Sequence, residues 1–339
     1  MKTEVGKLFG ALEEFCQGRP TNFLDSILKI RSWLTDQKDN RLSGYMNHPQ
    51  YFAAYSSYHM PLHLPELYWI LEKNFERLQL TAPKTILDFG CGPGTLTLSS
   101  LLWMKKHNLA EPKKINLVDF SSRALEGATH LVKSIVTESE IKTHKVNLQD
   151  KRGLGADIKA DWIFVGHMLN EWGSGPRVRE EKYNFVSQIM ARHLNPGGYI
   201  FLVEPPLREP TLDLMWLRDA YADAFIENPV VAPCPRGVLQ CPMIHNKLGW
   251  CYAQPPRLWA ADEGLTPWDK EIRKILDIRL EEPGFSYLVI RHPESEPLPE
   301  PAPHAIAITN RDAPRMMICA KNGAKASPVT HRGDYLYKG

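Results

Sequence analysis

The sequence predicts an α/β protein built on an open, largely parallel β-sheet, with a helical region before the sheet and a cysteine-rich region after it. Three observations lead to this prediction. From about residue 84, short apolar runs alternate with longer amphipathic stretches, which is the pattern of parallel strands joined by crossover helices. The residues before them place apolar side chains at helical spacing, and four of the six cysteines come after residue 230.

Composition and length place the chain among ordinary globular proteins. It has 339 residues, 43% hydrophobic and 24% charged, with a formal net charge of +2. These values exclude a disordered, collagen-like or coiled-coil chain, and the length corresponds to about two domains of roughly 150 residues. Because no apolar run approaches the roughly 18 to 20 residues that span a bilayer, we expect no membrane association. Six cysteines are too few for a disulfide scaffold, which indicates reduced thiols.

We expect three regions along the chain: a helical region over 1–82, an α/β domain over 83–228 and a cysteine-rich lobe over 229–339. Helical spacing is clearest in Leu8, Leu12 and Phe15. The strands of the sheet are predicted at Thr85–Phe89, Ile115–Asp119, His144–Asn147, Asp161–Gly166 and Tyr199–Glu204. The later helices are predicted at Ser121–Ser139, Glu180–His193 and Thr211–Asn228, and a further strand at Ser286–Arg291.

The first predicted strand runs directly into a glycine-rich turn. Gly90, Gly92 and Gly94 follow Asp88 in the segment Asp-Phe-Gly-Cys-Gly-Pro-Gly. Glycines at these positions let the backbone approach a small cofactor, and the helix that follows offers N–H groups. Asp119 ends the next predicted strand, where it is placed to accept hydrogen bonds from ribose hydroxyls. The pattern therefore predicts a cofactor that contains a ribose.

This pattern resembles the S-adenosylmethionine-binding motif of Rossmann-like methyltransferases, in which Asp-x-Gly-x-Gly-x-Gly is followed by a second acid. It differs from the dinucleotide fingerprint Gly-x-Gly-x-x-Gly because the glycines alternate here. The resemblance implies that S-adenosylmethionine is the cofactor and that Asp150 contacts its adenine. It also places His167, Asn170 and Glu171, after the fourth strand, where an acceptor would meet the methyl group. These three are the candidate catalytic residues, with a packed histidine or a helix cap as the alternative.

Three cysteines lie close together in the third region. Cys234, Cys241 and Cys251 fall in a loop that contains several prolines, and this loop can direct three thiolates at one metal centre. A fourth ligand is then required, for which Cys319 is the first candidate and His245 the competitor. Thiolates suit both zinc and an iron–sulfur cluster, and the spacing alone does not separate the two.

The order of these features resembles the methyltransferase-like assembly factors of the mitochondrial small ribosomal subunit and their bacterial relatives. The resemblance is carried by the glycine turn, Leu169-Asn-Glu171, Val203-Glu-Pro205 and the Ala-Pro-Cys-Pro, Cys-Pro and Trp-Cys motifs. It implies a 4Fe-4S cluster held by Cys234, Cys241, Cys251 and Cys319, bound S-adenosylmethionine, and action on the small ribosomal subunit and its rRNA. Arg236 departs from the family, which commonly has His after the first Cys-Pro; the thiols are kept but their surroundings differ.

The start of the sequence bears on where such a protein would act. Glu4, Glu13 and Glu14 are interspersed among the first apolar residues, which argues against a transit peptide. We therefore expect a bacterial cytoplasmic member, in preference to a protein of the mitochondrial matrix. We also expect a monomer.

Two classes of function follow. The first is an active methyltransferase, in which the sulfonium cofactor carries the chemistry and the protein supplies alignment and a dry pocket. The second is a binding and assembly factor that keeps the same fold and docks on rRNA, which the lack of an Asn-Pro-Pro-Tyr-type amine clamp favours. The alternative is a small-molecule or protein methyltransferase with a structural zinc site, against which stands a modestly basic C-terminal segment.

Overall fold

The computed structural model describes residues 2–18, 22–35, 42–148, 154, 158–173, 175–225, 227–234, 240–241, 243–244, 250–253, 284–296, 298, 304–308, 315–320 and 323–328. The chain divides into two compact units. The first unit comprises Met1–Leu71, Thr81–Gly155 and Arg257–Pro283, and the second comprises Glu72–Leu80, Ala156–Pro256 and Gly284–Gly339. The predicted region boundaries near residues 82 and 228 stay a prediction.

Seven strands form one mixed sheet. They are β1 Thr85–Phe89, β2 Lys114–Asp119, β3 Glu140–Lys145, β4 Ala160–Gly166, β5 Leu194–Glu204, β6 Val230–Ala232 and β7 Ser286–Arg291. The strand order is β3-β2-β1-β4-β5-β7-β6. The pairs β1/β2, β2/β3 and β4/β5 are parallel, whereas β7 pairs antiparallel with β5 and β6. The predicted open α/β sheet is confirmed, and the antiparallel β7 extends it beyond β5.

Helices precede the sheet and connect its strands, and their apolar faces are buried. They are α1 Lys2–Cys16, α2 Phe23–Thr35, α3 Pro49–Asn74, α4 Thr95–Lys106, α5 Ser122–Lys133, α6 Pro176–His193 and α7 Arg208–Ala224, with 3-10 turns at Tyr45–Asn47 and Leu169–Trp172. None of the described helices is long and apolar enough to cross a membrane. A separate antiparallel sheet contains β8 His304–Ile308, β9 Arg315–Ala320 and β10 Gly323–Pro328.

Two elements of the first unit, α5 and β3, differ from their predicted bounds by several residues. Helix α5 ends at Lys133, six residues before the predicted end at Ser139, and at this end the Ser134 hydroxyl donates to the Leu131 carbonyl at 2.6 Å. Strand β3 begins at Glu140, four residues before the predicted strand, and its burial pattern is mostly exposed. Since β3 is an edge strand, it lacks the apolar residues by which the other strands were located.

A close contact between two helices fixes the core of the first unit. The fully buried ring of Phe52, on α3, lies against Gly127 of α5, and a Cβ added to Gly127 would come 2.1 Å from the ring atom Cζ. Phe15 of α1 meets Phe52 edge-on, with ring centroids 5.4 Å apart. The N-terminal helix is therefore packed on α3 and α5 through a pair of aromatic rings.

We predict that Gly127→Ala destabilises the protein by about 1–3 kcal/mol, because the added methyl group overpacks against Phe52. Chemical denaturation measures the change. Gly10→Ala is the matched control: Gly10 also lies inside a helix, a Cβ there meets nothing within 4 Å, and the exchange should stabilise the helix by up to about 1 kcal/mol. Adding Phe52→Leu to Gly127→Ala should recover part of the loss, and strict additivity of the two changes would contradict the prediction.

Candidate functional site

The turn between β1 and α4 has the backbone geometry that its glycines predict. Gly90, Gly92 and Gly94 have φ angles of 65°, 52° and 83°, in the left-handed region that strains any residue with a side chain. A Cβ on Gly94 would come 3.3 Å from the Cβ of Ala128, so this glycine also lets α5 pack against the turn. A Cβ on Gly92 would approach Met46 only to 3.8 Å. At Gly92, backbone conformation therefore requires glycine, and the space beside it is open to a ligand.

The buried carboxyl group of Asp88 stabilises this turn. Its side chain is 2% exposed, and one carboxylate oxygen accepts hydrogen bonds from the Thr97 hydroxyl at 2.7 Å and the Thr97 N–H at 3.3 Å. The second bond caps the first turn of α4. Burial raises the pKa of Asp88 to about 7, against the effect of these hydrogen bonds. Asp88 thus stabilises the turn indirectly, because it holds helix α4, which begins where the turn ends.

Asp119, at the end of β2, ties the same turn to α5. One carboxylate oxygen accepts from the Gly92 N–H at 2.9 Å, and the other accepts from the Ser121 N–H at 2.8 Å. The side chain is 7% exposed, and burial raises its pKa. Each carboxylate oxygen can accept a second hydrogen bond. The predicted role of Asp119 toward ribose hydroxyls is therefore compatible with its bond to the glycine turn, and it stays a prediction.

Three residues that the sequence did not single out border the turn. Asn47 bonds the Ser121 hydroxyl at 2.9 Å, which places the 3-10 turn Tyr45–Asn47 beside the N-terminus of α5. Met46 of the same 3-10 turn faces Gly92, and Phe120, directly after Asp119, is 43% exposed. An apolar residue right after the strand-ending acid is a local signal that could have identified Phe120. No local pattern marks Met46 or Asn47, which lie more than forty residues before the turn.

In the second unit, the turn after β4 is held by a buried glutamate. Glu204, the last residue of β5, accepts hydrogen bonds from the N–H groups of Leu169 at 2.9 Å and Asn170 at 3.2 Å. Burial raises the pKa of Glu204 to about 8, while the two backbone donors and Lys182 act in the opposite direction. The candidate catalytic residues thus lie on a turn whose backbone is fixed by a carboxyl group of the neighbouring strand.

The candidate catalytic residues differ in their surroundings. His167 has a φ of 53°, which is unusual for a residue with a side chain, and its N–H donates to the Val203 carbonyl at 2.8 Å. Asn170 is 8% exposed, and its Oδ1 atom has no hydrogen-bond partner among the described residues. Glu171 is half-buried, and its charge contributes to the raised pKa of Glu204. Asn170 is therefore the member of the set with a buried acceptor atom that lacks a hydrogen-bond partner within the described residues.

Lys182, on α6, also contacts the turn that follows β4. Its ammonium group donates to the Gly173 carbonyl at 2.9 Å and to the Asp213 carboxylate at 2.5 Å, and the Lys182 and Asp213 side chains are both 5% exposed. Arg179 also donates to Asp213, at 2.7 Å. One buried carboxylate on α7 therefore accepts hydrogen bonds from two cations of α6, one of which also holds the end of the turn that begins after β4.

Three of the four cysteines predicted as metal ligands line one cavity of the second unit. Cys234, Cys241 and Cys251 line it together with residues of α7 and β7. Burial and the neighbouring Cys234 raise the pKa of the Cys241 thiol to about 12. The Ser286 hydroxyl donates to the Cys251 carbonyl at 3.2 Å, which anchors this part of the loop on β7.

The sequence matches a family model described as mitochondrial small ribosomal subunit Rsm22, over residues 49–338. The chain belongs to the Rsm22 family. No curated protein matches the chain.

The solved structures similar to the Rsm22-family chain include methyltransferases. One is the plantazolicin methyltransferase BpumL in complex with SAH, which is 11% identical, with a TM-score of 0.43 and coverage of 83% of this chain and 99% of that one. Another is an O-methyltransferase family protein from Burkholderia thailandensis, 13% identical, with a TM-score of 0.41 and coverage of 80% and 73%.

Two further predicted site residues, Asp150 and Cys319, also lie within the range that matches the Rsm22 family. Asp150 lies outside the described residues, as do His245 and Arg236. Cys319 lies on β9, where its backbone pairs in register with His304 of β8 and Ala324 of β10. Its predicted role as fourth metal ligand stays a prediction, as do the roles of Asp88, the glycines and the candidate catalytic residues.

We predict that Glu204→Gln changes how stability depends on pH. Because the folded state raises the pKa of Glu204 to about 8, the folded protein binds more protons than the unfolded chain between about pH 4.5 and 8, and this contribution to stability is lost as the pH rises through that range. Wild-type stability relative to Glu204→Gln should therefore fall from pH 5 to pH 8, by at most about 1.4 kcal/mol per pH unit.

Urea denaturation at several pH values measures this difference. The control is Glu209→Gln, which alters a carboxyl group on the same chain that is 52% exposed, and it should leave the pH dependence unchanged. Parallel curves for the wild type and Glu204→Gln would contradict the prediction.

Proposed function

We propose that this Rsm22-family protein is an S-adenosylmethionine-binding, methyltransferase-like factor of the small ribosomal subunit that carries a 4Fe-4S cluster. The observation that carries the proposal is the match to the Rsm22 family over residues 49–338. Within that match lie both the left-handed glycine turn next to Asp119 and the cavity lined by three cysteines. Each of these two features fits one of the two cofactors.

The glycine turn fits S-adenosylmethionine by its shape and its donors. Gly92 leaves open space beside a backbone held by Asp119, and Phe120 presents an exposed aromatic ring directly after that acid. An exposed ring suits contact with a flat base, and a carboxylate with unused acceptor capacity suits ribose hydroxyls. Gly90, Gly92, Gly94, Asp119 and Asp150 are the residues we assign to cofactor binding, with Asp88 holding the turn in place.

The residues after β4 are assigned to the methyl acceptor. When bound, S-adenosylmethionine supplies an electrophilic methyl group, whose transfer releases the acceptor's proton and leaves S-adenosylhomocysteine. The amide of Asn170 can accept a hydrogen bond from the acceptor and so orient it, while His167 and Glu171 are the groups that could take up the proton. Glu204 and Lys182 keep the backbone of this turn fixed.

The donor set of the cysteine cavity fits a thiolate-bound metal centre. Three sulfur ligands from one loop face a cavity whose other lining is mostly apolar, and Cys319 is the proposed fourth ligand. A bound cluster would cross-link the three loop cysteines to one another and, through Cys319, to β9. We propose rRNA as the surface to which the protein docks, because the matching family is described as one of the mitochondrial small ribosomal subunit. A bacterial cytoplasmic location and a monomeric state stay proposals.

We predict that Gly92→Ala weakens binding of S-adenosylhomocysteine by about tenfold or more, because the methyl group enters the proposed cofactor space at a left-handed backbone position. Isothermal titration calorimetry measures the dissociation constant. Gly18→Ala is the matched control, since Gly18 also has a positive φ, of 86°, and a Cβ there meets nothing within 4 Å. Equal dissociation constants for the wild type and both variants would exclude cofactor binding at this turn.

We predict about four iron and four sulfide per chain in protein purified without oxygen, with both lost in Cys234→Ser and Cys241→Ser, because the cluster needs these thiolates. Cys16→Ser is the control: Cys16 lies on α1 and should leave the metal content unchanged. Cys319→Ser tests the fourth ligand. Stoichiometric zinc without sulfide would overturn the cluster and favour the alternative, a methyltransferase with a structural zinc site.

A further inference from the structure

A buried cation lies at the cysteine cavity. Arg218, on α7, is 1% exposed and lines the same cavity as Cys234, Cys241 and Cys251. The remaining lining includes Leu214 and Met215, so that little solvent is present to screen the charge. A buried guanidinium is costly unless anionic groups offset it. Its position therefore calls for negative charge nearby.

Asp219 supplies part of that charge and also contacts the cysteine loop. Its Oδ1 atom accepts a hydrogen bond from Arg218 at 2.7 Å. Both of its carboxylate oxygens lie 2.9 Å from the Cys241 N–H, which donates to them. One carboxylate thus holds the guanidinium and the backbone of a proposed metal ligand at the same time. Asp219 therefore links the buried cation of α7 to the backbone of Cys241.

The three cysteines line the same cavity as the Arg218 guanidinium. Metal centres bind cysteine as the thiolate, so a metal centre held here would bring negative charge beside this cation. Arg218 is therefore placed to offset the charge that the site acquires when metal binds.

We propose that Arg218, held by Asp219, is a positioning residue of the cysteine site, which offsets the negative charge of a thiolate-bound metal centre and fixes the Cys241 ligand. This inference rests on the proposed metal site and goes beyond it by assigning two residues that are not ligands. Hydrogen-bonded groups around metal ligands commonly change metal affinity by about 10- to 100-fold. Net charge and hydrogen bonding near an iron–sulfur cluster also set its reduction potential.

The test compares four variants of the full chain: Arg218→Gln, Arg218→Lys, Asp219→Asn and Arg208→Gln. Arg208→Gln is the matched control, because Arg208 is an arginine of the same helix whose side chain is 53% exposed. Two quantities are measured: the rate at which metal is released to a chelator and, where iron and sulfide are present, the midpoint potential of the cluster. Circular dichroism establishes that each variant is folded.

Arg218→Gln should release metal about tenfold faster or more and should lower the midpoint potential, because the reduced cluster, which is more negative, loses a nearby cation. Arg218→Lys keeps the charge and should largely restore the potential. Asp219→Asn keeps the charge of Arg218 but weakens the hold on Cys241, so it should speed release with a smaller change in potential. It also provides the test if Arg218→Gln does not fold. Arg208→Gln should match the wild type.

Two failures can be told apart. Metal in the wild type, with unchanged release in Arg218→Gln and Asp219→Asn, would overturn the assignment of these two residues and leave the metal site standing. A wild type that holds neither iron nor zinc would overturn the metal site itself, and this assignment with it. If zinc is present without sulfide, the release rates alone decide the assignment.

Discussion

Buried carboxylates that accept backbone N–H groups are the interaction on which the candidate sites depend. The turns beyond the strand ends have few partners for their N–H groups within regular secondary structure, and burying such groups unsatisfied would cost free energy. In the first unit, Asp119 accepts from Gly92 and Ser121. In the second unit, Glu204 accepts from Leu169 and Asn170. Each acid converts a turn into a fixed element, which a site needs if it is to orient a ligand.

The sheet could be predicted from the sequence because its central strands are apolar runs. β1 and β7 have their predicted bounds, and β2 and β4 begin one residue earlier than predicted. The edge strand β3 was placed four residues too late because its side chains are exposed, and an exposed edge carries no apolar signal. Helix α5 was extended too far because Ile135 and Val136 continue an apolar pattern after the chain has left the helix.

Only part of the candidate site could be predicted from the sequence. The residues that were missed share one physical property. The sequence identified residues whose chemistry is conspicuous, such as the alternating glycines and the clustered cysteines. It named Glu204 only as part of the Val203-Glu-Pro205 motif, without a role. It did not identify Lys182, Asp213 or the pair Arg218 and Asp219, whose roles come from burial and from partners distant in the chain. Charged residues inside helices usually face solvent, so their positions become informative only when the packing is known.

In the second unit, the position of the cysteine loop depends on the register with which β7 pairs with β5. Its first residue, Ser286, pairs with Glu204, and the Ser286 hydroxyl bonds both Thr211 and the carbonyl of Cys251. A slip of one residue between β5 and β7 would turn each β7 side chain to the opposite face of the sheet. Ser286 would then leave Thr211 and Cys251, and the loop that presents the cysteines would lose its anchor. Correct folding of the cysteine loop is therefore decided by the alignment of a strand that contains no cysteine at all.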